Sequence, residues 1–66
     1  MDMKNINTFI YTAELGSFTK AAELLGYSQS TVSFQIRQLE EELGTVLFER
    51  INRTVTLTDR GKEILR

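Results

Sequence analysis

The run SFTKAAELLGYSQSTVSFQIRQLEEELG, residues 17–44, decides the fold. Ser17 is a suitable N-cap, because its hydroxyl can accept from an unpaired amide of the first helical turn. Phe18, Ala21, Ala22 and Leu25 then share one helical face, at about 100° per residue, until Gly26 breaks the helix. Ser28 caps a second helix, whose apolar residues Val32, Ile36, Leu39 and Leu43 recur at spacings of 4, 3 and 4 before Gly44. Period, cap and breaker agree in both segments. Two helices joined by so tight a turn predict a helix-turn-helix.

On the N-terminal side, Ile6, Phe9, Ile10 and Ala13 form one more helical stripe, which ends at Leu15-Gly16. On the C-terminal side the period changes. Leu47-Phe48-Glu49-Arg50 and Thr54-Val55-Thr56-Leu57-Thr58 are rich in β-branched and aromatic residues, and Val55 and Leu57 alternate with threonines. These are the marks of a half-buried hairpin, with Ile51-Asn52-Arg53 as its turn. Thr58 can cap a further helix from Asp59, which meets no stop signal before Arg66 and reads as a segment cut short. The expected architecture is mainly α: three helices, a β-hairpin wing and the start of a fourth helix.

Composition narrows the function. The 66 residues make one small domain with a modest core. There is no cysteine to form a disulfide or thiolate metal site, and no histidine to serve as a base near neutral pH. No apolar run approaches the roughly 18 residues of a membrane span. Polar residues follow Met1-Asp2-Met3-Lys4 where a signal peptide would be apolar, so a cytosolic protein is expected. The serines lack an activating base and a nucleophile-elbow setting, and Gly61-Lys62-Glu63 lacks the pattern of a phosphate loop. Glu40, Glu41 and Glu42 diverge around a helix and read as a solvated face, not as metal ligands. Asn52-Arg53-Thr54 fits the glycosylation pattern, but with no secretory signal it reads as a turn. Neither an enzyme nor a cofactor or metal protein is expected.

The net charge is −1, and the mildly acidic balance argues against nucleic acid until its distribution is read. Residues 1–49 carry three basic and seven acidic side chains, whereas residues 50–66 carry five basic and two acidic ones. Charge is also segregated along the helix expected over residues 29–43. With its apolar stripe turned inward, Ser30, Ser33, Phe34 and Arg37 point outward from the N-terminal half, with Gln29 at their edge, and the three glutamates fall in the C-terminal half. A recognition helix enters the major groove by its N-terminal residues, and its dipole there favours phosphate. Gln29 offers the bidentate amide that suits adenine, and Ser30 and Ser33 can donate or accept. Phe34 has two readings, a surface ring packed on protein or a contact to a thymine methyl.

Residues 17–61 together resemble the N-terminal DNA-binding domain of LysR-type transcriptional regulators. The resemblance rests on Ala22, Gly26, Ser28-Gln29, Val32-Ser33, Gln35-Ile36, Leu39-Glu40, Leu47-Phe48-x-Arg50, Arg53 and Leu57-Thr58-x-x-Gly61. It implies a winged helix-turn-helix DNA-binding domain over residues 1–58 and the start of a truncated linker and dimerisation helix over 59–66. It further implies base-reading by Gln29 and Ser33, beside Ser30 and Phe34, and phosphate contacts from Lys20, Thr31, Arg37 and Arg50. Arg53, at the wing tip, would reach the minor groove, where narrow A·T-rich sequence attracts arginine. Arg53→Ala is then expected to weaken binding chiefly to sites with A·T-rich wing positions.

Two departures fall on the reading face. Relatives commonly carry proline at position 30 and a basic residue at position 34, where this chain has Ser30 and Phe34. The implied partner is double-stranded DNA with an interrupted palindrome, its half-sites about 34 Å apart. The full-length protein would be a homodimer or higher oligomer in the bacterial cytoplasm, associated with the nucleoid. It would bind a small-molecule effector on a domain absent here, and no membrane. The alternative is a winged-helix module that docks a protein through the same surface. Salt separates the two, because DNA affinity falls with a log–log slope of about −0.9 per neutralised phosphate.

Overall fold

Asp2, Ser17 and Ser28 each open a helix by the same device. The Asp2 carboxylate accepts from the Lys4 amide at 2.9 Å, Ser17 Oγ from the Lys20 amide at 3.1 Å and Ser28 Oγ from the Thr31 amide at 3.2 Å. The computed structural model describes residues 1–51 and 54–65. Their order is α1 (Met3–Leu15), α2 (Phe18–Leu25), α3 (Gln29–Leu43), β1 (Phe48–Ile51), β2 (Thr54–Leu57) and α4 (Asp59–Leu65). Gly26 ends α2 at φ 76°, and nothing lies within 4 Å of where its Cβ would stand. The left-handed backbone, not lack of space, calls for glycine there.

The strands pair antiparallel with Phe48 opposite Leu57, Arg50 opposite Val55 and Ile51 opposite Thr54. Ile51 therefore ends β1, where the sequence reading placed it in the turn, and Leu47 precedes the strand. The expected turn residues Asn52 and Arg53 lie outside the described residues. Leu47 is nonetheless fully buried, and its carbonyl accepts the Thr58 amide at 3.0 Å.

The core joins Phe9 of α1, Phe18 and Ala22 of α2, Val32, Ile36 and Leu39 of α3, and Leu47 and Phe48. Phe48 is its hinge point. Its ring lies 5.4 Å from that of Phe9, tilted at 60°, and 5.8 Å from that of Phe18, edge-on at 88°. Both are favoured aromatic geometries, so the first residue of the wing is anchored to two helices at once.

On α1 the apolar stripe is only part of the inward face. Phe9 is buried, but Ile6, Ile10 and Ala13 are half-buried at the margin, while Asn5, Thr8 and Thr12 are fully enclosed. The α1–α3 seam is accordingly polar. Thr8 Oγ1 donates to Gln35 Oε1, and Asn5 Nδ2 donates to Gln38 Oε1 at 3.0 Å. Buried polar groups are tolerated where they satisfy one another; the Thr12 hydroxyl, equally enclosed, finds no partner among the described residues.

Thr58 opens α4. Its hydroxyl accepts from the Gly61 amide at 3.0 Å and donates to the Val46 carbonyl at 2.7 Å, tying the helix to the loop after α3. A Cβ at Gly61 would stand 2.5 Å from the Leu47 carbonyl oxygen and 2.9 Å from Leu57 Cδ2, so here space itself demands glycine. No described helix is long and apolar enough to cross a membrane.

Candidate nucleic-acid interface

The N-terminal half of α3 exposes most of the residues the sequence turns outward, but not Ser33 fully. Gln29, Ser30, Phe34 and Arg37 are exposed, and Thr31 and Ser33 are half-buried. Three hydroxyls gather at its first turn. Ser28 Oγ lies 3.1 Å from Ser30 Oγ and 2.9 Å from Thr31 Oγ1, so both side chains are oriented by the N-cap. Each retains hydrogen-bonding capacity, because a hydroxyl has one donor and two lone pairs.

Arg50 ties the wing to α2. Strand alternation puts it on the same face of β1 as Phe48, and Phe48 packs against Phe18. The Arg50 guanidinium accordingly lies over the Phe18 ring, 4.2 Å from its centroid. It borders two clefts. One is also lined by Ser33, Arg37, Glu40 and Val46, the other by Ser17, Thr19, Gln29 and Val55. Arg50 is thus the residue the two clefts share, with Ser33 and Arg37 on one side of it and Gln29 on the other. Lys20, exposed on α2, stands outside both clefts, as does Phe34 on α3. Arg53 falls outside the described residues. Among the described residues, Lys20, Arg37 and Arg50 form no ion pair. Among those residues, too, no cluster of histidine, cysteine or carboxylate side chains could hold a metal ion.

One reading of the acidic run needs correction. Glu40 is half-buried, lines the cleft with Arg37 and Arg50, and its Oε2 accepts the Leu47 amide at 2.8 Å. It is a loop-holding group, not part of a solvated face. Sequence also missed that Phe18 supports Arg50. The signal was present in Phe48-x-Arg50, since residues two apart share one face of a strand.

Comparison with known proteins places this geometry. The model of the bacterial regulatory helix-turn-helix proteins of the LysR family matches residues 3–62. The chain belongs to the LysR family. It is 50% identical over 62 residues to the uncharacterized HTH-type transcriptional regulator YwqM of Bacillus subtilis (strain 168), spanning 94% of this chain and 21% of that one. It is 48% identical over 64 residues to the transcriptional activator IlvY of Salmonella typhimurium (strain LT2), spanning 97% and 22%. The chain thus covers about a fifth of the length of these relatives. Among solved structures, the complex of the CbnR DNA-binding domain with DNA superposes at a TM-score of 0.93 and 38% identity, over 98% of this chain and 75% of that one. The winged helix-turn-helix expected from sequence is therefore the LysR fold.

Proposed function

We propose that this chain binds double-stranded DNA sequence-specifically in transcription control, with α3 (29–43) in the major groove and the wing (48–57) at the minor groove. Gln29, Ser30, Ser33 and Phe34 read bases, and Lys20, Thr31, Arg37 and Arg50 contact phosphate. Arg53 enters the minor groove. The observation that carries this reading is the position of Arg50, which borders one cleft with Ser33 and Arg37 and another with Gln29. Gln29 and Ser33, suited to bases, then border clefts shared with Arg50, suited to phosphate, as a groove-reading surface requires. The likeness to a DNA-bound LysR-type domain supports DNA as the partner.

Residues 1–58 form the reading head in this proposal, and 59–66 begin a linker helix through which full-length chains pair. Two heads on a homodimer or higher assembly match an interrupted palindrome, about one helical turn between half-site centres. A small-molecule effector binds a domain outside this chain. The setting is the bacterial cytoplasm, at the nucleoid, and the function requires neither a cofactor nor catalysis.

The test is selection from random duplex DNA by the chain fused to a dimerising coiled coil. The expected product is an inverted repeat with A·T-rich flanks, bound with a steep salt dependence. The 61% exposure of Phe34 favours one competing reading, a module that docks a protein. Enrichment of no sequence by a folded, dimeric fusion is the result that reading requires.

A further inference from the structure

Phe34 is 61% exposed on a helix that buries Val32, Ile36 and Leu39. At about 100° per residue, it lies within roughly 30° of the pole opposite those buried residues. Its surface neighbours three and four positions away are Ser30, Thr31, Arg37 and Gln38, so α3 offers the ring no exposed apolar company. Within the fold its exposed surface contributes no burial. Along α3 the ring is flanked by hydroxyls, a guanidinium and an amide, so the helix itself supplies no apolar stripe of the kind a docked protein would cover.

A phenyl ring has no donor or acceptor, so it gains nothing from the amide and carbonyl edges that Gln29 and the serines suit. The apolar feature of the major groove is a methyl group on pyrimidine C5. Thymine carries one, and 5-methylcytosine carries the same group on the same carbon. Resting on the DNA-binding function proposed above, we infer that Phe34 is a specificity-determining residue that reads a pyrimidine C5-methyl group in the major groove. The half-site therefore contains a thymine at the position facing Phe34, and 5-methylcytosine can take its place where cytosine cannot.

The test uses the coiled-coil fusion and its selected duplex, with helical circular dichroism and cooperative melting certifying the fold of each variant. Every thymine of one half-site is replaced in turn by deoxyuridine, which keeps pairing and stacking and deletes only the methyl. At one position the affinity should fall about fourfold, the value of one buried methyl-sized group. At that position a 5-methylcytosine·guanine pair should bind about fourfold tighter than cytosine·guanine. Phe34→Ala should weaken binding and bring both ratios close to one. Uniformly neutral deoxyuridine replacements overturn the inference, even if Phe34→Ala weakens binding, because the ring would then be stacking or packing instead. Failure of the fusion to select any sequence overturns the DNA-binding reading beneath it and is distinguishable from the first result.

Discussion

The Arg50 guanidinium sits 4.2 Å above the centroid of the Phe18 ring, so a residue of the wing is held against the first turn of α2. Phe18 in turn meets Phe48 edge-on, two residues before Arg50. One aromatic ring thereby joins the core to the charged surface and fixes a long, flexible side chain beside Gln29, Ser33 and Arg37.

Arg50→Ala should therefore flatten the log–log salt dependence of DNA binding by about 0.9, the contribution of one phosphate. Phe18→Leu should leave that slope nearly intact, because the charge remains, yet weaken binding about two- to fivefold through loss of a cation–π contact. It should also lower stability by about 1 to 2 kcal/mol, since the edge-on contact to Phe48 goes with it. Fluorescence anisotropy across a salt series and urea denaturation separate these effects. An unchanged slope in Arg50→Ala sinks the phosphate role.

The polar seam between α1 and α3 gives a prediction of opposite logic. Thr8→Val removes the donor to Gln35 Oε1 and leaves that acceptor buried, which should cost about 1 to 3 kcal/mol. Replacing both partners, Thr8→Val with Gln35→Leu, should recover much of the loss, because two apolar groups leave nothing unsatisfied. A double-mutant cycle by urea denaturation measures the coupling. Strictly additive losses would show that the bond does not hold the seam.

Those same residues mark where sequence reading stops. On α3 the stripe of Val32, Ile36 and Leu39 was legible because apolar side chains announce their own burial. Ser17 and Ser28 were legible as caps because that role depends on local chain geometry. Thr8 and Gln35 were not. Each looks solvent-facing alone, and only the docking of α1 on α3 makes them partners. Glu40 escaped for the same reason, since its acceptor role depends on a loop amide seven residues away. Of the interface, the outward residues of α3 followed from periodicity, whereas the placing of Arg50 over Phe18 needed the tertiary fold.

Gly61→Ala tests the docking of α4. In an open helix this change stabilises by about 0.5 to 1 kcal/mol, because alanine loses less chain entropy on folding. Here the new Cβ would meet a backbone carbonyl, that of Leu47, at 2.5 Å. Backbone cannot swing aside as a side chain does, so the expected sign reverses, with a loss of about 1 to 3 kcal/mol. Thermal melting decides it. A raised melting temperature would mean that α4 does not press on the loop after α3.

Glu40 couples stability to affinity. Its carboxylate accepts the amide of fully buried Leu47, so Glu40→Ala should strand that donor and cost about 1 to 3 kcal/mol. Glu40→Gln keeps an acceptor on a side chain of the same length and should fold with a smaller loss, since only the charge assistance disappears. The same substitution removes a negative charge from the cleft that Arg37 and Arg50 line. Binding to a non-specific duplex should then tighten about two- to fivefold at low salt, and the gain should shrink as salt screens it. Urea denaturation and anisotropy on random-sequence DNA read the two effects separately. Tightening by Gln without comparable destabilisation would establish that Glu40 holds the loop with any acceptor and tempers the cationic surface with its charge.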